Sequence, residues 1–148
     1  MGSETMFLSR IRETTDDRLA GGTRILLAII FLMTGPMKLV VPQLAEAWSG
    51  QLTEAQIPFY ELSRWAVPFL ELFLGVILTI GAFVRPAALV VFGIMIVATY
   101  VHVVVDDPSL FPLQPSEPII PLMVMLGSAY LLWRGGGSWS RDLKSGRQ

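Results

Sequence analysis

The sequence predicts an all-α membrane protein: a four-helix transmembrane bundle with both termini on the cytoplasmic side. Three observations lead there. The chain is 53% hydrophobic and only 16% charged, with a mean hydropathy of +0.58, far from the balance of a soluble domain. Four apolar stretches approach the roughly 20 residues that cross a hydrocarbon core. Nine of the eleven Lys and Arg residues fall on one side of those stretches. Helices that are apolar all round belong in lipid or in the core of a large protein, and 148 residues are too few to bury four of them.

Residues 1–23 form a polar N-terminal segment with scattered Met6, Phe7, Leu8, Ile11 and Leu19, a pattern that suits a short interfacial helix or a frayed end. Gly21-Gly22 reads as a break before the first span, Arg24–Val41 (RILLAIIFLMTGPMKLVV). That run is longer than a signal-peptide core and has no small-residue cleavage pattern, so a cleaved signal is not expected. Pro36 lies inside it. Its ring clashes with the carbonyl of Leu32, so a kink and a freed carbonyl are expected, tolerated in a membrane only against protein or a wet cavity.

The Pro42–Arg64 connection is the longest and carries Trp48, Ile57, Phe59 and Tyr60, side chains suited to the headgroup level. Its length suggests a lid or re-entrant packing rather than a bare loop. The second span covers Trp65–Val84 and the third Pro86–Val105. The turn Val84-Arg85-Pro86 makes these two spans antiparallel neighbours. Gly75 and Thr79 form a small-xxx-small pair suited to helix packing. The fourth span is Pro118–Trp133, after which GGGSWSRD ends the helix and residues 135–148 read as a mobile tail. Residues 24–134 thus form one transmembrane domain.

Orientation follows from charge. Arg10, Arg12, Arg18, Arg24, Arg85, Arg134, Arg141, Lys144 and Arg147 share one side, and Asp106–Glu117 has no basic residue. The positive-inside rule makes both ends cytoplasmic. The absence of cysteine excludes disulfides, thiolate metal sites and dithiol chemistry within the chain. A single histidine argues against a zinc centre, so no metal site is expected. No basic patch with interleaved aromatics points to nucleic acid.

The few charges within the spans are the candidate site. By helix rise, Glu71 lies roughly 9 Å, and Lys38 and His102 roughly 4–5 Å, below the same outer edge. Thr99 and Asp106 share a helix face with His102, and Arg64, Asp106 and Asp107 would ring the mouth. An ionisable group at membrane depth is a functional-site hypothesis by default. Glu71 carries most weight, because a carboxylate that deep needs a partner or a proton. Simpler readings account for the same residues: a structural Glu71–Lys38 pair, Lys38 extending to the headgroups, and a hydrogen-bonded core histidine.

RILLAIIFLMTGPMKL, ELFLGVILTIGAFVRPAALVVFGIMIVATYVHV and EPIIPLMVMLGSAYLLWRGGGSWSRD together resemble the DoxX family of small four-helix membrane proteins over about residues 24–142. Glu71, Gly75, Gly81, Arg85 and His102 stand at the places the family leads one to expect, and Glu117 opens the last helix. Pro36-Met37 stand where the family usually has an aromatic or basic residue. The resemblance implies a small subunit of an oxidoreductase system in a bacterial or archaeal inner membrane, linked to thiosulfate or thiol oxidation and the quinone pool. Lys38 and His102 would donate to quinone carbonyls while Glu71 exchanges a proton; these three residues and Thr99, that is Lys38, Glu71, Thr99 and His102, form the expected ligand site. Pro36, Gly75, Arg85 and Glu117 are the expected structural residues. With no flavin, haem or iron–sulfur motif, no intrinsic cofactor is expected, and a membrane or soluble redox partner, or a second copy of the chain, would complete the system. A non-catalytic assembly subunit or a small-solute carrier is the other reading.

Overall fold

A computed structural model describes residues 11–146; the expected interfacial Met6, Phe7 and Leu8, and Arg10 and Arg147 of the charge count, lie outside them. Among the described residues there is no strand. The helices are α1 (Arg18–Val40), α2 (Pro42–Glu54), α3 (Tyr60–Ile80), α4 (Val84–Val104), a 3-10 turn at Pro108–Leu110, α5 (Ile119–Arg134) and α6 (Arg141–Ser145). Helices α1, α3 and α4 are long and apolar enough to cross a membrane, and α5 is a shorter apolar helix. The outward faces are apolar too: Leu26, Ile29 and Met33 on α1, Phe69 and Phe73 on α3, Leu89 and Val97 on α4, Leu122 and Leu126 on α5 are all exposed. Such a surface is solvated by lipid, so the chain is an integral membrane protein.

Helix α1 packs chiefly on α3, and α4 on α5, with α1 also meeting α5. The shared core comprises Leu27, Ala28 and Phe31 with Leu74, Leu78, Ala88, Val91, Val124 and Leu131. Gly75 receives Leu32: a Cβ there would lie 2.8 Å from that side chain.

Four local expectations change. Helix α1 begins at Arg18 and runs through Gly21-Gly22, because Asp17 caps it, accepting from Leu19 N at 2.9 Å and Ala20 N at 3.3 Å. The α3–α4 connection is Gly81–Phe83 rather than Val84–Pro86. Gly81 ends α3 in the left-handed conformation, and Pro86 falls in the first turn of α4, where its missing N–H costs nothing. Residues Pro42–Glu54 are helical: Pro42 sits at the first helical position, and Ala47, Gln51 and Leu52 present one buried face. The tail is not loose. Ser138, Ser140 and Asp142 are buried, packed against the start of α1 and the α3–α4 turn.

That last packing depends on glycine. A Cβ at Gly137, where φ is +67°, would stand 2.2 Å from Gly21 N, so the tail backbone lies directly on the α1 backbone. Around this contact Arg24, 1% exposed, donates through Nε to the Gly136 carbonyl at 2.9 Å and through Nη1 to the Leu78 and Thr79 carbonyls. These satisfy carbonyls at the end of α3 that its own helix leaves unpaired. Arg85 donates to the carbonyls of Glu13 at 2.8 Å and Trp133 at 3.1 Å.

Candidate functional site

At the opposite end of the helices, Lys38 in the last turn of α1 meets Glu71 near the middle of α3. Lys38 Nζ lies 2.5 Å from Glu71 Oε1, and Thr34 Oγ1 donates to Oε2 at 3.2 Å. Thr34 and Lys38 are four residues apart and therefore share a helix face. Glu71 is 3% exposed. The Trp48 ring of α2 covers the ammonium, its centroid 4.9 Å from Nζ, a cation–π contact that partly replaces lost hydration. Trp48 is itself held by its Nε1 donating to the Arg64 carbonyl at 3.2 Å.

The pair forms because α1 and α3 touch backbone to backbone. A Cβ at Gly35 would lie 2.8 Å from the Pro68 carbonyl and 3.2 Å from Glu71 Cβ. Gly35 is thus a positioning residue that the charge pattern does not reveal. The available signal was its place three residues before Lys38, on the same face. Pro36 is accommodated within continuous helix Arg18–Val40.

His102 makes no hydrogen bond to this pair. Its Nδ1 bonds the Ala98 carbonyl at 2.8 Å, and its ring lies against Phe111, centroids 4.4 Å apart. Phe111 in turn belongs to a second apolar cluster with Ala55, Val101 and Val105. Helix α2 crosses between the two places. Trp48 meets Lys38, while Ala55, just past the end of α2, packs in the Phe111 cluster, a span of about 10 Å along a helix axis. Thr99 Oγ1 donates to Met95 O at 2.7 Å, within its own helix. The structure therefore brings Lys38 and Glu71 into contact, and joins neither His102 nor Thr99 to them by a hydrogen bond.

Beside α2 runs an open groove of about 550 Å³, lined by Ala45, Glu46, Ser49, Gly50, Thr53, Glu54, Arg64 and Leu110. Arg64, expected at the mouth, is part of this lining. Asp107 instead caps the 3-10 turn: its Oδ1 accepts from Ser109 N at 2.9 Å and Ser109 Oγ at 2.7 Å, which holds its carboxyl below the usual range. Glu117 is exposed, its carbonyl accepting from Ile119 N at 2.8 Å. No group of three or more His, Asp or Glu side chains able to hold a metal occurs among the described residues.

Chemically, the Lys38 end offers a desolvated carboxylate paired with an ammonium, an adjacent hydroxyl and an aromatic cover. An incoming hydrogen-bond acceptor could compete for Lys38, and the released Glu71 could then exchange a proton. Comparison with curated proteins finds no match, nor does comparison with solved structures. Residues 21–104 match the DoxX family, a stretch that includes Gly35, Lys38, Trp48, Glu71 and His102. Covering more than half of the sequence, that match makes the chain a member of the DoxX family.

Proposed function

We propose that this protein is a small membrane subunit of an oxidoreductase system linked to the quinone pool, acting on or beside a sulfur- or thiol-type substrate handled by a partner. The observation that carries the reading is the buried Lys38–Glu71 pair under Trp48. Ionisable groups at membrane depth are retained at a cost in folding free energy, which a ligand or proton role explains. Lys38, Glu71, Thr99 and His102 are the proposed binding residues, with a quinone as the ligand and Glu71 as the group that exchanges a proton. The redox cofactor comes from a membrane or soluble partner, because the chain carries no motif for one. Residues 24–134 form the transmembrane domain, a four-helix bundle with both termini in the cytoplasm of a bacterium or archaeon, alone or as a homo-oligomer.

One observation favours a second reading. Lys38 and Glu71 satisfy one another, with Thr34 and Trp48 completing the set, as expected of a scaffold or assembly subunit whose pair only orders two helices. Purification in mild detergent, with mass spectrometry of co-purifying proteins and extracted quinones, separates them. The oxidoreductase reading expects quinone retained by wild type and lost from Lys38→Met and Glu71→Gln, together with a flavin-, haem- or iron–sulfur-bearing partner. Folded variants that retain what wild type retains would establish the scaffold reading.

A further inference from the structure

His102 is held in one orientation. Its Nδ1 faces the Ala98 carbonyl at 2.8 Å. A carbonyl only accepts, so Nδ1 carries the hydrogen, and Nε2 of the neutral ring presents a lone pair. The residue is 9% exposed, and no group among the described residues reaches Nε2. Phe111, whose ring lies against the imidazole, has no side-chain donor to offer. A buried polar atom without a protein partner is uncommon and asks for one from outside the chain.

The surroundings supply an approach. Phe111 covers the ring, and the preceding residue, Leu110, is a wall of the 550 Å³ groove. The Gln51 side-chain amide holds that wall by donating to the Leu110 carbonyl, and Gly50 lies against the Leu110 side chain. Leu110 thus borders the groove while the adjacent Phe111 lies against the histidine ring.

We propose that His102 Nε2 accepts a hydrogen bond from the hydroxyl of a hydroquinone-type ligand, which enters from the groove side and displaces the Phe111 ring. The proposal rests on the quinone reading above and refines it. A quinone carbonyl cannot donate, so this nitrogen selects the reduced, hydroxyl-bearing form, whereas the Lys38 ammonium suits the oxidised one.

The test uses the chain's only histidine. Protein labelled with ¹⁵N-histidine in detergent micelles is titrated with a short-chain hydroquinone, its quinone and its dimethyl ether. The free protein should show a protonated Nδ1 and an unprotonated Nε2. Hydroquinone should shift the Nε2 resonance saturably, and the ether, lacking the hydroxyl, should bind about tenfold more weakly without that shift. Phe111→Ala should retain the shift, and His102→Phe should bind hydroquinone and ether alike. The opposite tautomer, an Nε2 signal unmoved by saturating hydroquinone, or a hydroxyl preference that survives His102→Phe overturns the proposal. Quinone binding that depends on Lys38 while Nε2 stays unmoved removes the His102 role and leaves the quinone reading intact; no binding of any of the three removes both. The wild-type titration decides the matter even where a variant does not fold.

Discussion

Asp142 caps a helix that begins 58 residues before it in the chain. Its Oδ2 accepts from Val84 N and its Oδ1 from Phe83 N, both at 3.0 Å, while Arg12 Nε lies 3.1 Å from Oδ1. Helix α4 has no side-chain cap of its own, because Phe83 occupies the cap position in the left-handed conformation. The tail supplies the missing carboxylate, placed where the helix dipole favours negative charge.

Asp142→Ala removes the cap and the partner of Arg12, and should cost about 2 kcal/mol of stability. Asp142→Asn keeps one acceptor oxygen and should lose less. Thermal unfolding in detergent, followed by circular dichroism, measures both. An unchanged midpoint for the alanine variant would refute the capping role.

Glu71→Leu leaves the Lys38 ammonium without its partner and should destabilise by about 3–5 kcal/mol. Glu71→Gln, which still bonds Thr34 and Lys38, should be milder. The double variant Lys38→Met/Glu71→Leu should recover most of the loss, because an apolar pair replaces a desolvated ionic one. A double-mutant cycle on thermal stability reads this out, and additive losses would contradict the pairing.

Gly35→Ala drives a methyl group to 2.8 Å from the Pro68 carbonyl, which is backbone and cannot rotate away. The helices must separate, at about 1–3 kcal/mol, and the Lys38–Glu71 contact loosens with them. Gly93, whose added Cβ meets nothing within 4 Å, is the control: Gly93→Ala should be neutral or slightly stabilising in a helix interior.

Acid should weaken the end of the molecule built on Asp17. The Tyr130 hydroxyl, with the Ala20 and Leu19 N–H groups and Arg134, holds the Asp17 carboxyl below its ordinary value of 3.8. A carboxyl lowered in the folded state stabilises it above the unfolded value, and the contribution fades as pH falls through the lowered one. Melting temperature should therefore drop below about pH 4 in wild type, with a smaller drop in Asp17→Asn. Parallel pH profiles of the two proteins would count against the assignment.

Topology is open to direct labelling. Ser109 and Ser145 are exposed at opposite ends of the helices, and the chain has no cysteine to interfere. In intact cells Ser109→Cys should react with an impermeant thiol reagent and Ser145→Cys only after lysis. The reverse pattern would invert the proposed orientation.

Hydropathy and charge placement by themselves determined that the chain lies in a membrane and that Glu71 must find a partner, Lys38 or His102; they read four spans, of which three helices are long enough to cross and the fourth, Ile119–Arg134, is shorter. These follow from one-body costs: burying an apolar side chain or a charge is priced residue by residue along the sequence. The depth of Glu71 and the reach of a lysine put Lys38 in range before any packing is known, and the pair is there. Tertiary structure decided the rest. The direct contact of α1 with α3 rests on Gly35 fitting the Pro68 backbone. His102 bonds the Ala98 carbonyl of its own helix rather than Glu71, in a bundle where α4 packs chiefly on α5 and α1 on α3. Arg24 reads as one more basic residue at a helix end, yet it is buried because the Gly136, Leu78 and Thr79 carbonyls converge on it. Equal depth cannot say which face of a helix meets which neighbour, since that depends on how whole surfaces interlock.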